Sequence, residues 1–262
     1  MRKYFIILLI LTLISCGKVP LTGRKQMILL PESQVMALSL TSYKEFLGKN
    51  PALPATDAFA QKVRIVGQKI SIATENYLRQ KGYANRLAGY KWEFNAVNNK
   101  EVNAWCMPGG KVVAYTGIWP VAKDDAGLAV VLSHEIAHAI AEHGNERMSQ
   151  QLALQVGAQG LDIALQKQPD LTRNIFLTSY GVGSQLGILA YSREHELEAD
   201  RLGLIFMAMA GYNPERALTF WQDMKNVGGA KPPEFLSTHP SDANRIEKVK
   251  KYLPEAKKYY KP

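Results

Sequence analysis

Cysteine is nearly absent from this chain: among 262 residues only Cys16 and Cys106 carry a thiol. That excludes a disulfide-stapled scaffold, and it leaves Cys106 to act as a small buried hydrophobe with an inert thiol. Acidic residues are also in deficit, with 23 Asp and Glu against 32 Lys and Arg and a formal net charge of +9. A basic surface of this density keeps a protein soluble or rests against anionic headgroups. The apolar run at the start, from Tyr4 to Ile14, is too short to span a bilayer, which takes about 20 residues. Internal repeats and low-complexity tracts are lacking, which excludes a helical repeat array. Histidine is scarce as well, with five in the chain, and two of these fall within one pentapeptide.

That pentapeptide is His134-Glu135-Ile136-Ala137-His138. At 3.6 residues per turn, positions four apart share a helix face, so His134 and His138 can offer imidazoles to one divalent ion. Glu135 points elsewhere and is free to take a proton from a water that zinc acidifies. Asp125 to Leu132 leads into this helix, and Gly144 is the predicted stop. A catalytic zinc has three protein ligands plus water, so a third ligand is needed downstream, with a carboxylate to orient an imidazole. Glu196 and Asp200 lie four apart on a second helix predicted from Gly183 to Ala210. Glu196 is assigned as the third zinc ligand and Asp200 as the acceptor for the far ring nitrogen of His134. Glu194, His195 and Glu198 are competing candidates on other faces of that helix. A metzincin site is disfavoured because its third histidine would fall at Gly144. His143 and His195 are expected to pack or hydrogen-bond, not to bind zinc.

The chain opens with Arg2-Lys3, the apolar run, and then Ser15-Cys16-Gly17, the layout of a secretory signal. Leu13-Ile14-Ser15-Cys16 resembles a bacterial lipobox, which implies cleavage before Cys16 and a lipid anchor on it. The expected division is a signal peptide at 1–15, a lipidated segment with a first helix at 16–50, and a single catalytic domain at 51–262. The expected location is the bacterial envelope, facing the periplasm, with Gly17 favouring the outer membrane. An exported lipoprotein has little occasion to meet nucleic acid.

Four segments in order, PLTGRKQ at 20–26, NAWCMPGGKVVAYTG at 103–117, HEIAHAIAEHGNER at 134–147 and SREHELEADRLG at 192–203, together with STHPSDANRI at 237–246, resemble the M48 family of zinc metallopeptidases. The likeness is to its small bacterial lipoproteins, which are related to the proteases BepA and Oma1. The resemblance implies a mainly helical α+β zincin of gluzincin type, with a small sheet beside the zinc helix. It implies one Zn2+ held by His134, His138 and Glu196, with Glu135 catalytic. His239 is then either an extra zinc contact or a group facing the reacting carbonyl, and His239 or Arg245 would stabilise the oxyanion. The implied substrates are misfolded or misassembled envelope proteins, cut as quality control. The rival reading is a latent chaperone or scaffold whose zinc shell is closed by His239.

Strands are predicted at Tyr90 to Val97, Val102 to Cys106 and Val112 to Tyr115. A peptide would pair with an exposed edge of this sheet, with Asn103, Gly110, Val112 and Ala114 as the candidate binding residues. Helices are predicted from Pro31 to Leu47, Thr56 to Lys81, Met148 to Lys167, Pro214 to Lys225, and from Ser241 onward. Gln168 to Gly183 reads as an irregular loop or lid.

Overall fold

The structure, a computed structural model, describes residues 16–156, 169–180, 192–227, 234–239 and 244–261. The leader at 1–15 lies outside the described residues. A short antiparallel hairpin of β1 (Cys16–Lys18) and β2 (Lys25–Met27) comes first. It leads to α1 (Glu32–Lys49) and the long α2 (Ala58–Gln80). Asp57 caps α2 by accepting the Ala60 amide at 2.9 Å, which satisfies one of the unpaired donors of its first turn. The sheet follows, with β3 (Glu93–Val97), β4 (Ala104–Met107) and β5 (Lys111–Tyr115).

Its order is β3-β5-β4, with β3 parallel and β4 antiparallel to the central β5. Pro108-Gly109-Gly110 turns the chain between β4 and β5. Both glycines sit near φ +80°, a conformation that a side chain disfavours. Every residue of β5 is buried, because both of its edges are paired and both of its faces are covered.

After the one-turn α3 (Trp119–Ala122) comes α4 (Asp125–Ile140), capped by Asp124, which accepts the Gly127 amide. All of α4 from Gly127 to Ile140 is buried, so this helix is the centre of the core. The chain continues through α5 (His143–Val156), α6 (Pro169–Tyr180), α7 (Arg193–Met209), α8 (Arg216–Asn226), α9 (Glu234–Thr238) and α10 (Arg245–Ala256). Helix α7 lies directly on α4. A Cβ at Gly203 would stand 3.1 Å from the His134 amide nitrogen, so glycine is what permits this approach. Glu196, Asp200 and Gly203 follow the four-then-three spacing of one helix face, which turns both acids toward the His134–His138 face.

Three expectations about the helices are corrected. The zinc-motif helix stops at Ile140, ahead of Gly144, because Glu142 takes a left-handed φ of 55° with its carboxylate bonded to Arg86 and Gln26. Gly144 instead serves close packing, since a Cβ there would lie 2.1 Å from the Tyr180 ring. The following helix therefore begins at His143, not at Met148. Most of the expected loop at 168–183 is helix α6, which starts on Pro169, carries Asp170 in its first turn and buries Ile175 and Phe176. Residues 157–168, the stretch from Gly183 to Tyr191 and the predicted Ser241-Asp242 start fall outside the described residues. No helix among the described residues is long and apolar enough to cross a membrane.

Candidate metal centre

Helix α4 supplies His134, Glu135 and His138, α7 supplies Glu196 and Asp200, and the residue after α9 is His239. His134, His138, Glu196 and His239 each offer a ligand atom, and these atoms all lie within 4.8 Å of one another. Nε2 of His134 and Nε2 of His138 are 3.1 Å apart, and each stands 3.3 Å from a different oxygen of Glu196. Zinc bonds of about 2.05 Å at tetrahedral angles place neighbouring ligand atoms about 3.3 Å apart, so these three donors fit one ion. Glu196 Oε2 meets His134 Nε2 at 3.3 Å and Arg245 at 3.4 Å but receives no well-aligned hydrogen bond among the described residues. A buried carboxylate oxygen in that state is costly, and a cation among the four side chains relieves it.

Burial works against the charge on Glu196, yet His239 and the hydrogen bonds from His134 and His138 hold its carboxyl well below the usual range. Burial likewise disfavours protonation of His134, but hydrogen bonds to Asp200 and Glu196 win and raise its metal-free pKa to about 9. Burial dominates at His138 and pushes it well down. Glu135 is pushed up by burial despite His239 and His134 nearby. A carboxylate whose proton affinity is raised in this way suits a general base.

His134 Nδ1 stands 3.1 Å from Asp200, and Asp200 accepts two bonds from Arg245 at 2.7 and 2.8 Å. The Arg245 guanidinium lies over the Trp221 ring, 3.4 Å from its centre. Two donors of Arg245, Nε and Nη2, thus hold the orienting carboxylate behind His134 and do not face an oxyanion, which corrects the expectation for this residue. His239 bridges the two glutamates, with Nδ1 3.0 Å from Glu196 and Nε2 3.4 Å from Glu135. Phe235 stacks on His239 at 4.5 Å.

The predicted peptide-binding residues are not assembled as expected. Val112 and Ala114 lie in the central strand, where both backbone edges are already paired. Gly110 is tied into the turn, its amide donating to Met107 and its carbonyl accepting from Glu93. Asn103 is buried and its Oδ1 accepts the Ala104 amide. Of the two edge strands, β3 already takes a bridge from Ala52 at Val97, which leaves β4. Its pairing alternates, and the Tyr115 amide donates to Asn103, so Ala104 and Cys106 are the residues whose backbone faces away from β5. Period-two alternation would have found them had the central strand been known. Val102, just before β4, accepts the Phe235 amide at 3.1 Å, so α9 packs beside it.

His143 and His195 stay out of the ligand set, while His143 Nδ1 lies 2.9 Å from Nδ1 of His138. Cys106 is buried, and burial raises its thiol well above the ordinary range.

The sequence model of peptidase family M48 matches residues 68–253. The chain belongs to peptidase family M48. M48 peptidases are zinc-dependent, in agreement with the donor set. Among relatives of this M48 chain, the mitochondrial metalloendopeptidase OMA1 of Schizosaccharomyces pombe is 37% identical over 176 residues, which cover 65% of this chain and 49% of that protein. OMA1 of Saccharomyces cerevisiae is 32% identical over 253 residues, covering 93% of this chain and 70% of the relative. The beta-barrel assembly-enhancing protease of Escherichia coli is 29% identical over 161 residues, covering 59% of this chain and 33% of its own length. The chain thus spans about half the length of the S. pombe relative and a third of the E. coli one.

Proposed function

We propose that this protein is a zinc-dependent endopeptidase, lipid-anchored through Cys16 in a bacterial envelope, that cuts misfolded or misassembled envelope proteins. The carrying observation is the buried triad of His134, His138 and Glu196 at tetrahedral spacing with Glu135 beside it. The lipobox-like Leu13-Ile14-Ser15-Cys16 supports the anchor and the location, outer membrane by Gly17. The names of the relatives, which speak of endopeptidases and of barrel assembly, support the substrate class.

His134, His138 and Glu196 would hold the ion, which when bound acidifies a water and polarises the scissile carbonyl. Glu135 takes the proton of the attacking water and returns it to the leaving amine. Asp200 keeps the His134 ring in its ligating orientation, and Arg245 keeps Asp200 in place. Burial of the whole cluster excludes bulk water and strengthens each of these interactions.

A second reading, a latent form closed by His239, has its own support. None of His134, Glu135, His138, Glu196 and His239 is more than 3% exposed, and Phe235 with His239 covers them. One comparison separates the readings. Casein is offered to the zinc-loaded parent, to Glu135→Gln and to His239→Ala. Cleavage by the parent and not by Glu135→Gln establishes the peptidase, whereas equal cleavage by both rejects Glu135 as base. Faster cleavage by His239→Ala favours the closed form. Slower cleavage with zinc retained makes His239 a group that meets the substrate.

A further inference from the structure

We infer that the N-terminal hairpin is part of the metal centre's support, with Arg24 holding Glu198, Glu198 holding His143, and His143 fixing the ring of the zinc ligand His138. This rests on the zinc reading above. A histidine that gives Nε2 to a metal carries its proton on Nδ1 and needs an acceptor there. For His134 the acceptor is Asp200. For His138 the atom facing Nδ1 is Nδ1 of His143, at 2.9 Å. His143 must then accept at Nδ1, carry its own proton on Nε2 and donate it to Glu198 Oε2, which lies 3.0 Å away. The negative charge of Glu198 sets this tautomer.

Glu198 is held from the N-terminal side of the chain. Arg24 Nε donates to its Oε2 at 2.7 Å and the Thr22 hydroxyl bonds its Oε1. The two remaining nitrogens of Arg24 grip Glu146 at 3.0 and 2.7 Å. Glu146 in turn meets Nε2 of His195 at 3.0 Å, and the His195 ring stacks on His143 at 4.5 Å with 16° between the planes. One guanidinium therefore clamps an acid on α5 to an acid on α7, on either side of the stacked histidines. A planar fork suits two carboxylates at once in a way an ammonium does not. His143 is fully buried in this frame, beside the His138 ring.

The test uses the full chain and measures three quantities: zinc affinity by competition with a chelator, the visible spectrum of the cobalt(II)-substituted protein, and the melting temperature without metal. His143→Phe keeps the ring and its stack on His195 but removes the acceptor. Arg24→Gln releases both acids. Arg173→Gln, which breaks an exposed ion pair with Glu45, is the control. The expected result is a zinc affinity about 10- to 100-fold weaker in His143→Phe, with an altered cobalt spectrum. Arg24→Gln should change in the same direction, while Arg173→Gln matches the parent. Parent-like affinity and spectrum in both variants would overturn the relay and leave the zinc reading standing. A parent that takes up no zinc would overturn both. Should His143→Phe fail to fold, Arg24→Gln decides by the same criteria.

Discussion

Replacing Asp200 by Asn keeps the shape of the side chain and removes a buried charge that two partners use. Arg245 loses the carboxylate it holds at 2.7 and 2.8 Å, and His134 loses a charged acceptor at 3.1 Å. Breaking a buried ion pair from one side costs about 3–5 kcal/mol, because the survivor is left uncompensated. Here Arg245 keeps its Trp221 stack and a contact with Glu196 at 3.4 Å, so the lower end applies, about 3 kcal/mol. For a chain of this size that is a fall of roughly 6–12 °C in the metal-free melting temperature. Zinc affinity should fall about 10- to 100-fold through loss of the oriented imidazole. The double variant Asp200→Leu with Arg245→Met separates the two effects, since an apolar pair in place of a buried ion pair is close to neutral for folding. It should recover most of the melting temperature and none of the zinc affinity. Calorimetry of the apo-protein and chelator competition read these quantities independently. Parent-like zinc binding in Asp200→Asn, or its return in the double variant, would refute the orienting role.

Glu32 offers a pH prediction. Burial, then the charge of Glu142, raises its carboxyl to about 7, against Asn145 and Arg86. A raised acid contributes stability that is full below its unfolded value near 4.5 and lost as pH rises through 7. Glu32→Gln should therefore melt higher than the parent at pH 8 by about 1–3 kcal/mol of stability, with the gap closing toward pH 4; an equal gap at both pH values would contradict the burial argument. Metal removal is a further test. Zinc at 100 times its dissociation constant should stabilise the protein by about 2.7 kcal/mol, so chelation must lower the melting temperature, and an unchanged melt would deny the site its ion.

Much of the site was legible because it is written in helical spacing. His134 with His138, and Glu196 with Asp200, are each four apart, and that interval alone puts both members of each pair on one face. Helix boundaries tied to a local cap, such as Asp57 before α2, were readable for the same reason. Helix α6 was hidden because its stability comes from burying Ile175 and Phe176, not from a strong local pattern.

What tertiary structure alone decided is which groups meet across helices. Strand order placed β5 between β3 and β4 and sealed Val112 and Ala114 inside the sheet, which no strand's own pattern reveals. The same holds for Arg245, which the chain offers near the site but which packing on Trp221 turns toward Asp200. Arg24 lies more than a hundred residues from Glu146 and Glu198, and only the docking of the hairpin brings the three together. Residue types and intervals along a helix settle which atoms can share one metal ion; the contacts that hold those atoms still belong to the packing between elements, which local spacing does not encode.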